Sequence, residues 1–360
     1  MFFLFCKIKK LCYYLNIYFV VNVNMWLFGK KEKKNKSTEK LFEVTPVKSH
    51  LKLGLALSGG GTRGVAYIGA FKALEENGIH FDYVAGTSIG SLMGAVYASG
   101  MPLEEVVSIA KTVSSKDILT NRIKFLPSKT EKFVNFINEM FKDKRFADLP
   151  TPLCVIATDI ITGKEMRITS GNLGRAVAGS CAVPVVFKPV DFDGHRLFDG
   201  GLVNNIPADV VRDMGADIVV SFDINPDRGY GTDSTKFFDE IKAALRILIK
   251  SNSLNGYIYS DCVVKLDLGK FDRTKIDDAD EMIYQGYVQT LEQIPNILQA
   301  INKSVPDENI KKTARRIKSM EKARKKYERQ QQKLINDGII FDSSLNRKKI
   351  NDVITTDKEE

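Results

Sequence analysis

The sequence predicts an α/β fold built around a central, mostly parallel β-sheet. Two glycine-rich loops carry this prediction, because each follows a short apolar segment typical of a buried strand and precedes an apolar helical segment. Residues 53–58 run into Gly59-Gly60-Gly61-Thr62-Arg63-Gly64 and then into a helix over 65–76. Residues 83–85 run into Gly86-Thr87-Ser88-Ile89-Gly90. A right-handed crossover places both loops at the carboxyl edge of the sheet, where α/β proteins form their sites.

The second loop holds a serine at the position of a nucleophile. A serine on a sharp turn from strand to helix needs glycine two residues before and after it, because a Cβ there would clash with the reversing chain. Gly86 and Gly90 satisfy this spacing, so Ser88 is the candidate nucleophile. A serine flanked by glycines also occurs as an ordinary turn or helix cap, so the neighbouring loops decide between the two interpretations.

The first loop predicts an oxyanion hole. Acyl transfer from an ester builds negative charge on the carbonyl oxygen, and fixed backbone N–H donors stabilise that charge. Glycines expose such donors, and the dipole of the following helix adds to the attraction. Gly60 and Gly61 are the expected donors, while Gly59 shapes the turn. Arg63 is a candidate for stabilising a phosphate or the oxyanion, with a structural salt bridge as the alternative.

The same loop also fits the dinucleotide-binding pattern G-x-G-x-x-G after a strand. That function requires an acidic residue at the end of the second strand to bind the ribose hydroxyls. The chain has Gly86-Thr87-Ser88 at this point, and Asp82 precedes the strand. Dinucleotide binding is therefore disfavoured.

The proton acceptor for Ser88 is predicted to be an aspartate, because none of the three histidines is well placed for a Ser-His-Asp triad. Asp199 begins the segment Asp199-Gly200-Gly201 after a short apolar strand, and the two glycines allow a close approach to the serine loop. An ordinary carboxylate, with a pKa of about 4, is a weak base for an alcohol, so burial must tune it. The alternative is an aspartate that only forms a turn. The histidines are His50, His80 and His195.

The combination of GGGTRG, GTSIG and Asp-Gly-Gly resembles the patatin-like phospholipase family, with closest likeness to its bacterial branch related to neuropathy target esterase. Residues 178–189 resemble the family's Ser-x-Ala-x-Pro-x-x-Phe-x-Pro block, and residues 146–159 resemble a further family segment. The resemblance covers about residues 51–223. One departure is Ser58, where many members have Asp or Gly.

This resemblance implies a three-layer α/β/α fold and a Ser-Asp dyad of Ser88 as nucleophile and Asp199 as base. It also implies metal-independent hydrolysis of a phospholipid or another lipid ester, without a cofactor. Acyl transfer to an alcohol would use the same residues, and an inactive lipid-binding protein is the alternative of a different class. The sequence does not indicate an oligomeric state.

Composition agrees with a soluble globular protein: 44% of the 360 residues are hydrophobic and 27% are charged. The five cysteines form no Cys-x-x-Cys pair, so neither a disulfide framework nor a zinc site is expected. They are Cys6, Cys12, Cys154, Cys181 and Cys262.

The net charge of +9 is unevenly distributed. Residues 1–40 carry a net +7 and residues 311–333 a net +9, whereas residues 41–310 carry −5. We expect 311–333 to form a basic amphipathic helix that either docks on an anionic membrane surface or packs as a solvated helix. No basic-aromatic platform accompanies it, so nucleic-acid binding is not expected.

The chain is predicted to contain a basic and apolar N-terminal arm over 1–48, a catalytic domain over 49–305, and a basic helical extension with a polar tail over 306–360. Residues 11–28 are a marginal membrane anchor, because three asparagines interrupt the apolar run, and Met25 is the favoured start of translation. The expected location is cytoplasmic, with peripheral contact at the inner face of the membrane.

Two helices, 103–113 and 131–141, are expected between the serine loop and the 146–159 segment. An apolar stripe on the second helix predicts either core packing or a lid or acyl-chain groove. The stripe consists of Phe133, Phe136, Ile137, Met140 and Phe141. After Asp199, further helices are expected at 206–214, 237–254 and 279–301, and strands at 218–222 and 262–266.

Overall fold

The computed structural model describes residues 51–112, 130–225, 234–272 and 278–302, and four single residues further on. The chain divides into two compact units, Met1–Pro306 and Asp307–Glu360, and the sheet with its flanking helices belongs to the first unit. The four single residues belong to the second unit, and each is helical and exposed: Arg315, Lys318, Lys322 and Arg329.

The predictions for the N-terminal arm, the start at Met25, His50, Cys6 and Cys12 lie outside the described residues. Most of the expected basic C-terminal helix lies outside them as well.

One sheet contains all the strands found in the described part of the chain, in the order β5-β6-β3-β2-β1-β7-β8, with β4 paired to β3. The central pairs β3–β2, β2–β1, β1–β7 and β7–β8 are parallel. The pairs β3–β4, β3–β6 and β5–β6 are antiparallel. The strands are β1 Leu53–Leu57, β2 Tyr83–Thr87, β3 Leu153–Asp159, β4 Lys164–Ile168, β5 Val190–Phe192, β6 His195–Asp199, β7 Ile218–Asp223 and β8 Cys262–Lys265.

Helices flank the sheet on both faces. Gly61–Val65 and Gly200–Leu202 are short 3-10 turns that follow β1 and β6. The α-helices are α1 Ala66–Glu76, α2 Ile89–Ser99, α3 Leu103–Thr112, α4 Glu131–Met140, α5 Leu173–Ser180, α6 Ala208–Asp213, α7 Phe237–Ser251, α8 Leu254–Tyr259 and α9 Ala279–Asn302.

The two faces of the sheet bury different residues because side chains alternate along each strand. On one face, Gly94 of α2 lies against Leu57, Val84 and Leu153, and this contact allows the helix to pack closely. On the other face, buried Ala56, Ala85 and Cys154 pack with residues of α6, including Val210 and Val211. These two helix layers and the sheet form the expected three-layer α/β/α fold.

Glycines also set the packing of α1 against α9. A Cβ at Gly69 would lie 1.9 Å from the carbonyl oxygen of Ile283, and a Cβ at Gly286 would lie 1.9 Å from that of Ala66. The helix backbones therefore approach more closely than any side chain at these positions would allow.

Two details differ from the sequence-based expectation. The helix expected from Val65 begins at Ala66 after a 3-10 turn. The single helix expected over 237–254 is two helices, because α7 ends at Ser251 and α8 begins at Leu254. At the break, the Asn252 side chain donates a hydrogen bond to the carbonyl of Leu202, which anchors the chain to the segment after Asp199.

Candidate active site

Ser88 lies on a strained turn between β2 and α2. Its backbone has φ 54° and ψ −128°, in the left-handed region that a residue with a side chain rarely adopts. A Cβ at Gly86 would lie 2.2 Å from the carbonyl oxygen of Gly90, and a Cβ at Gly90 would lie 2.3 Å from that of Leu57. The backbone contacts therefore explain why both positions flanking the serine are glycine.

The structure brings Ser88 and Asp199 together. Ser88 Oγ donates a hydrogen bond of 2.7 Å to Asp199 Oδ2, and the two residues are 8% and 3% exposed. Asp199 Oδ1 accepts a second hydrogen bond, of 2.8 Å, from the Gly201 amide. The carboxylate is therefore oriented by its own loop, with one oxygen left to face the serine.

Burial raises the pKa of the Asp199 carboxyl from 3.8 to about 6, against the lowering effect of its hydrogen bonds with Ser88 and the Gly201 amide. A carboxylate with this pKa is a stronger base than an ordinary aspartate, and it is still mostly ionised at neutral pH. Asp199 can therefore accept a proton under conditions where an enzyme ordinarily works.

The glycine loop lies beside the serine. A Cβ at Gly59 would lie 3.0 Å from Ser88 Cβ, and the Gly59 amide donates to the carbonyl of Asn205. Among the described residues, none accepts a hydrogen bond from the backbone amide of Gly60 or Gly61. Both glycines line the same cavity as Ser88. Gly61 has φ 65°, which glycine adopts without strain. Two unused backbone donors in this place are what an oxyanion hole requires.

Hydrogen bonds that sequence reasoning missed hold the two loops in place. Ser180 Oγ accepts the Ser88 amide at 2.7 Å and donates to the carbonyl of Ile156 in β3. Thr87 Oγ1 donates to the carbonyl of Asn204. In the sequence, Ser180 stands out only as part of the block 178–189, and that pattern does not indicate its hydrogen bond with the Ser88 amide.

Gly200 allows Asp199 to lie close to the sheet. A Cβ at Gly200 would lie 2.2 Å from the carbonyl oxygen of Ile156, whereas a Cβ at Gly201 would lie 3.1 Å from Asp199 Oδ1. The Asp-Gly-Gly segment therefore needs its first glycine for contact with β3, and its second glycine supplies the amide that orients the carboxylate.

Arg63 follows the glycine loop and contacts the loop after β8. Its side chain is buried and donates through Nε and Nη2 to the carbonyl of Phe271, at 2.9 and 2.6 Å, and through Nη2 to that of Gly269. These contacts hold the guanidinium against the loop after β8, and Arg63 is not among the residues that line the Ser88 cavity. These carbonyl contacts support an anchoring role for Arg63, and stabilisation of an anion by Arg63 stays a prediction.

Among the described histidines and cysteines, Cys181 lies beside the dyad, and its thiol is within hydrogen-bonding distance of the Ser88 side chain. His195 begins β6, four residues before Asp199, and its Nδ1 lies 3.2 Å from Asp159 Oδ2, whereas His80 is exposed. Cys154, Cys181 and Cys262 are free thiols. Cys181 lines the cavity, but burial raises the pKa of its thiol, so it stays protonated and weakly nucleophilic.

A cavity of about 670 Å³ leads from Ser88 and Asp199, and its walls are mostly apolar. Three residues of the predicted α4 stripe line it: Phe133, Phe136 and Met140. Ile137 and Phe141 of the same stripe are buried at 0% and 2% exposure. The stripe therefore packs in the core along one edge and forms cavity wall along the other, while a role as a lid or acyl-chain groove stays a prediction.

Fold and site together define an α/β protein with a nucleophile-elbow serine, a buried carboxylate bonded to it, and a glycine loop beside both. Residues 55–212 match the family model described as patatin-like phospholipase. Residues 55–212 therefore form a patatin-like phospholipase domain.

Individual relatives agree with this assignment. A rat protein described as patatin-like phospholipase domain-containing protein 7 is 40% identical over 186 residues, which cover 48% of this chain and 13% of the rat protein. An uncharacterized NTE family protein of Mycobacterium bovis is 32% identical over 178 residues, covering 48% of this chain and 49% of that protein. The chain thus spans at most about half the length of these relatives.

Among solved structures, the crystal structure of VipD from Legionella pneumophila is similar, with a TM-score of 0.48 and 16% identity. The similarity covers 86% of this chain and 81% of that one.

Proposed function

We propose that this protein is a serine lipid acyl hydrolase, a carboxylic ester hydrolase of the phospholipase A or lysophospholipase type. The observation that carries the proposal is the 2.7 Å hydrogen bond from Ser88 Oγ to Asp199 Oδ2 inside a cavity with apolar walls. Such walls bind an acyl chain, and the polar pair lies where the ester of that chain would be attacked. The match of residues 55–212 to the patatin-like phospholipase model supports the same class of reaction.

In the first half of the reaction, Ser88 Oγ attacks the ester carbonyl carbon while its proton passes to Asp199 Oδ2. The carbonyl oxygen becomes negatively charged and accepts hydrogen bonds from the amides of Gly60 and Gly61. When the tetrahedral intermediate collapses, the bond to the alcohol breaks, and that oxygen leaves with the proton from Asp199. The acyl group remains bound to Ser88.

In the second half, water attacks the acyl carbon and gives its proton to Asp199. The carbon–Oγ bond then breaks, Ser88 regains the proton, and the fatty acid leaves. Replacement of water by an alcohol gives acyl transfer with the same atoms, which is the alternative reaction at this site. No group of three or more potential metal ligands is found among the described residues. Reaction without a metal or cofactor remains a prediction.

The substrate is expected to enter from a lipid surface that the protein contacts peripherally, which corresponds to a cytoplasmic protein at the inner membrane face. Among the described helices, none combines the length and the apolar character of a bilayer-crossing segment.

Lys242 and Arg246 of α7 line the cavity. Large apolar side chains of α7 and α8 are exposed, and we call these six residues the α7–α8 surface: Phe237, Ile247, Leu248, Leu254, Ile258 and Tyr259. Apolar side chains next to basic ones are suited to an anionic bilayer.

Labelling with a fluorophosphonate tests the proposal directly, since this probe forms a covalent bond with an activated serine. The wild-type protein should be labelled once, at Ser88. Ser88→Ala should abolish labelling, and Asp199→Asn should slow it by about 100-fold or more because the base is lost. Ser99→Ala is the matched control, since Ser99 lies in α2 and donates to Val96 of its own helix. Equal labelling of all four proteins would refute the dyad, and absence of labelling throughout would favour the inactive lipid-binding protein.

A further inference from the structure

Two buried asparagines beside the glycine loop have oxygens without a hydrogen-bond partner. Asn205 is 1% exposed and Asn225 is 4% exposed, and both line the Ser88 cavity. Within the described part of the chain, neither Asn205 Oδ1 nor Asn225 Oδ1 has a partner. A buried amide oxygen without a hydrogen bond is unfavourable, so a pair of them in a cavity indicates a ligand with a donor group.

The orientation of the Asn225 amide is determined by its neighbours. Nδ2 lies 2.8 Å from the carbonyl oxygen of Gly59 and 2.9 Å from Asp223 Oδ1. The carbonyl is an acceptor only, so an oxygen placed there instead would lose the bond to the glycine loop. Oδ1 must therefore be the atom without a partner.

The same reasoning determines the orientation of Asn205. Its Nδ2 lies 2.9 Å from Ser253 Oγ, and that hydroxyl donates its own hydrogen to the carbonyl of Ile249. Ser253 Oγ can then only accept from Asn205, so the amide nitrogen faces Ser253 and Oδ1 faces away from it.

Both oxygens lie close to the reacting atoms. The position that a Cβ of Gly59 would occupy is 2.8 Å from Asn205 Oδ1 and 3.0 Å from Ser88 Cβ. The corresponding position at Gly60 is 3.4 Å from Asn225 Oδ1. The two acceptors thus flank the loop that carries the expected oxyanion donors. An oxyanion would be repelled by these oxygens, whereas a hydroxyl hydrogen would be attracted.

We propose that Asn205 and Asn225 form a hydroxyl-binding subsite next to the ester, in which Oδ1 of each accepts a hydrogen bond from an O–H group. The proposal rests on the proposed hydrolase function. The O–H group has two possible sources: a free hydroxyl on the alcohol part of the substrate, or the water that releases the acyl group. In the second case, the water oxygen bonds to the acyl carbon and its proton goes to Asp199. The bond between the acyl carbon and Ser88 Oγ then breaks, and Asp199 returns the proton to Oγ.

Asn205 is the better position to test, because Asn225 also holds Gly59 through Nδ2 and its loss would disturb the glycine loop. Asn205→Leu removes the acceptor while keeping a similar volume. Asn204→Leu is a matched control, since Asn204 is a neighbouring buried asparagine whose Nδ2 bonds Glu165 and Asp209 and which is not among the cavity-lining residues. Asn205→Ala serves if the leucine variant does not fold.

The experiment compares two probes with the full-length chain: monooleoylglycerol and the same ester with both hydroxyls methylated. A substrate hydroxyl in the subsite predicts that wild type prefers the free-hydroxyl ester by about tenfold or more in kcat/KM. Asn205→Leu should remove most of this preference, and Asn204→Leu should keep it.

The second source of the hydroxyl gives a different result. If the subsite binds the releasing water, the ratio between the two esters stays near one in every protein, but Asn205→Leu shows a burst of p-nitrophenol from a p-nitrophenyl ester followed by slow turnover. If a variant that still reacts with the fluorophosphonate shows neither a lost preference nor a burst, the proposal is overturned. A wild-type protein that does not react with the fluorophosphonate refutes the hydrolase function itself, so the two failures are distinguishable.

Discussion

Ser88 and Asp199 are 111 positions apart in the sequence, and their side chains meet at 2.7 Å because β3 lies between their strands. Thr87 pairs with Ile156 on one side of β3, and Ala157 pairs with Asp199 on the other. Ser88 follows the end of β2, which is parallel to β3, and Asp199 ends β6, which is antiparallel to β3. Both strands therefore end at the same level of the sheet. The proposed proton transfer between them depends on this register, since a slip of one residue would move either side chain to the opposite face.

The first prediction concerns the dependence of activity on pH. Asp199 must be ionised to accept the serine proton, and burial raises its pKa to about 6. We therefore expect kcat/KM for a water-soluble p-nitrophenyl ester to be constant above pH 7 and to fall about tenfold per pH unit well below about pH 6. A profile that stays flat down to about pH 4 would contradict the assignment of Asp199 as the base.

The same carboxyl predicts how stability changes with pH. Its pKa is higher in the folded protein than the ordinary 3.8, so the folded state binds this proton more tightly than the unfolded chain does. The stabilising contribution is complete below about pH 4 and is lost as the pH rises through about 6. Asp199→Asn should therefore gain stability over wild type as the pH rises from about 4 to about 7, by roughly 2–3 kcal/mol.

Urea unfolding of both proteins across this pH range provides the measurement. If the difference in the free energy of unfolding between wild type and Asp199→Asn did not change with pH, ionisation of the buried carboxyl would not destabilise the folded protein, and the prediction would be wrong. Asp209→Asn is a suitable control, since this carboxylate is paired with Arg167 at 2.8 Å on the surface side of β4.

Much of this site could be predicted from the sequence, because its parts are local. The turn at Ser88 and the glycine loop each consist of a few consecutive residues with characteristic steric requirements, so a short pattern identifies them. The orientation of Arg63 could not be predicted, because its acceptors are the carbonyls of Gly269 and Phe271, some 200 positions away. The sequence did not indicate Asn205 and Asn225 for the same reason. Which atoms of an asparagine amide are left without a hydrogen bond depends on neighbours that are distant in the sequence.

Two glycines of α2 test whether the turn at Ser88 requires glycine at position 90 for steric reasons. A Cβ at Gly90 would lie 2.3 Å from a backbone carbonyl oxygen, which cannot move without distorting β1. Gly90→Ala should therefore lower the free energy of unfolding by roughly 3–5 kcal/mol. Gly94→Ala, in the same helix, meets only side-chain atoms at 3.2 Å and should change stability by no more than about 1 kcal/mol. Similar effects of both substitutions, measured by chemical unfolding, would contradict the steric explanation.

Substitution of Arg63 distinguishes an anchoring role of this residue from a catalytic one. Arg63→Ala leaves the carbonyls of Phe271 and Gly269 without their donor, and should lower the free energy of unfolding by about 1–3 kcal/mol. The rate constant for fluorophosphonate labelling of Ser88 should change less than about threefold under conditions where the variant is folded. A large loss of labelling rate without a loss of stability would instead support an Arg63 that stabilises anionic charge.

The α7–α8 surface predicts where the protein contacts a membrane. Ile247 is 56% exposed on α7, a helix on which other residues line the cavity, so its burial in the acyl region would contribute apolar contact with the bilayer. Ile247→Glu should weaken binding to vesicles that contain anionic lipid by roughly tenfold, because it removes this contact and adds a charge that anionic headgroups repel.

Co-sedimentation with vesicles measures this binding, and Ile161→Glu is the control. Ile161 is 65% exposed between β3 and β4, away from α7 and α8 in the sequence, and its substitution introduces the same change of size and charge. Equal weakening by the two substitutions would show that charge alone matters and would remove the assignment of this surface. A selective effect of Ile247→Glu, together with unchanged hydrolysis of a water-soluble ester, would show that the surface delivers lipid to Ser88 without taking part in the chemistry.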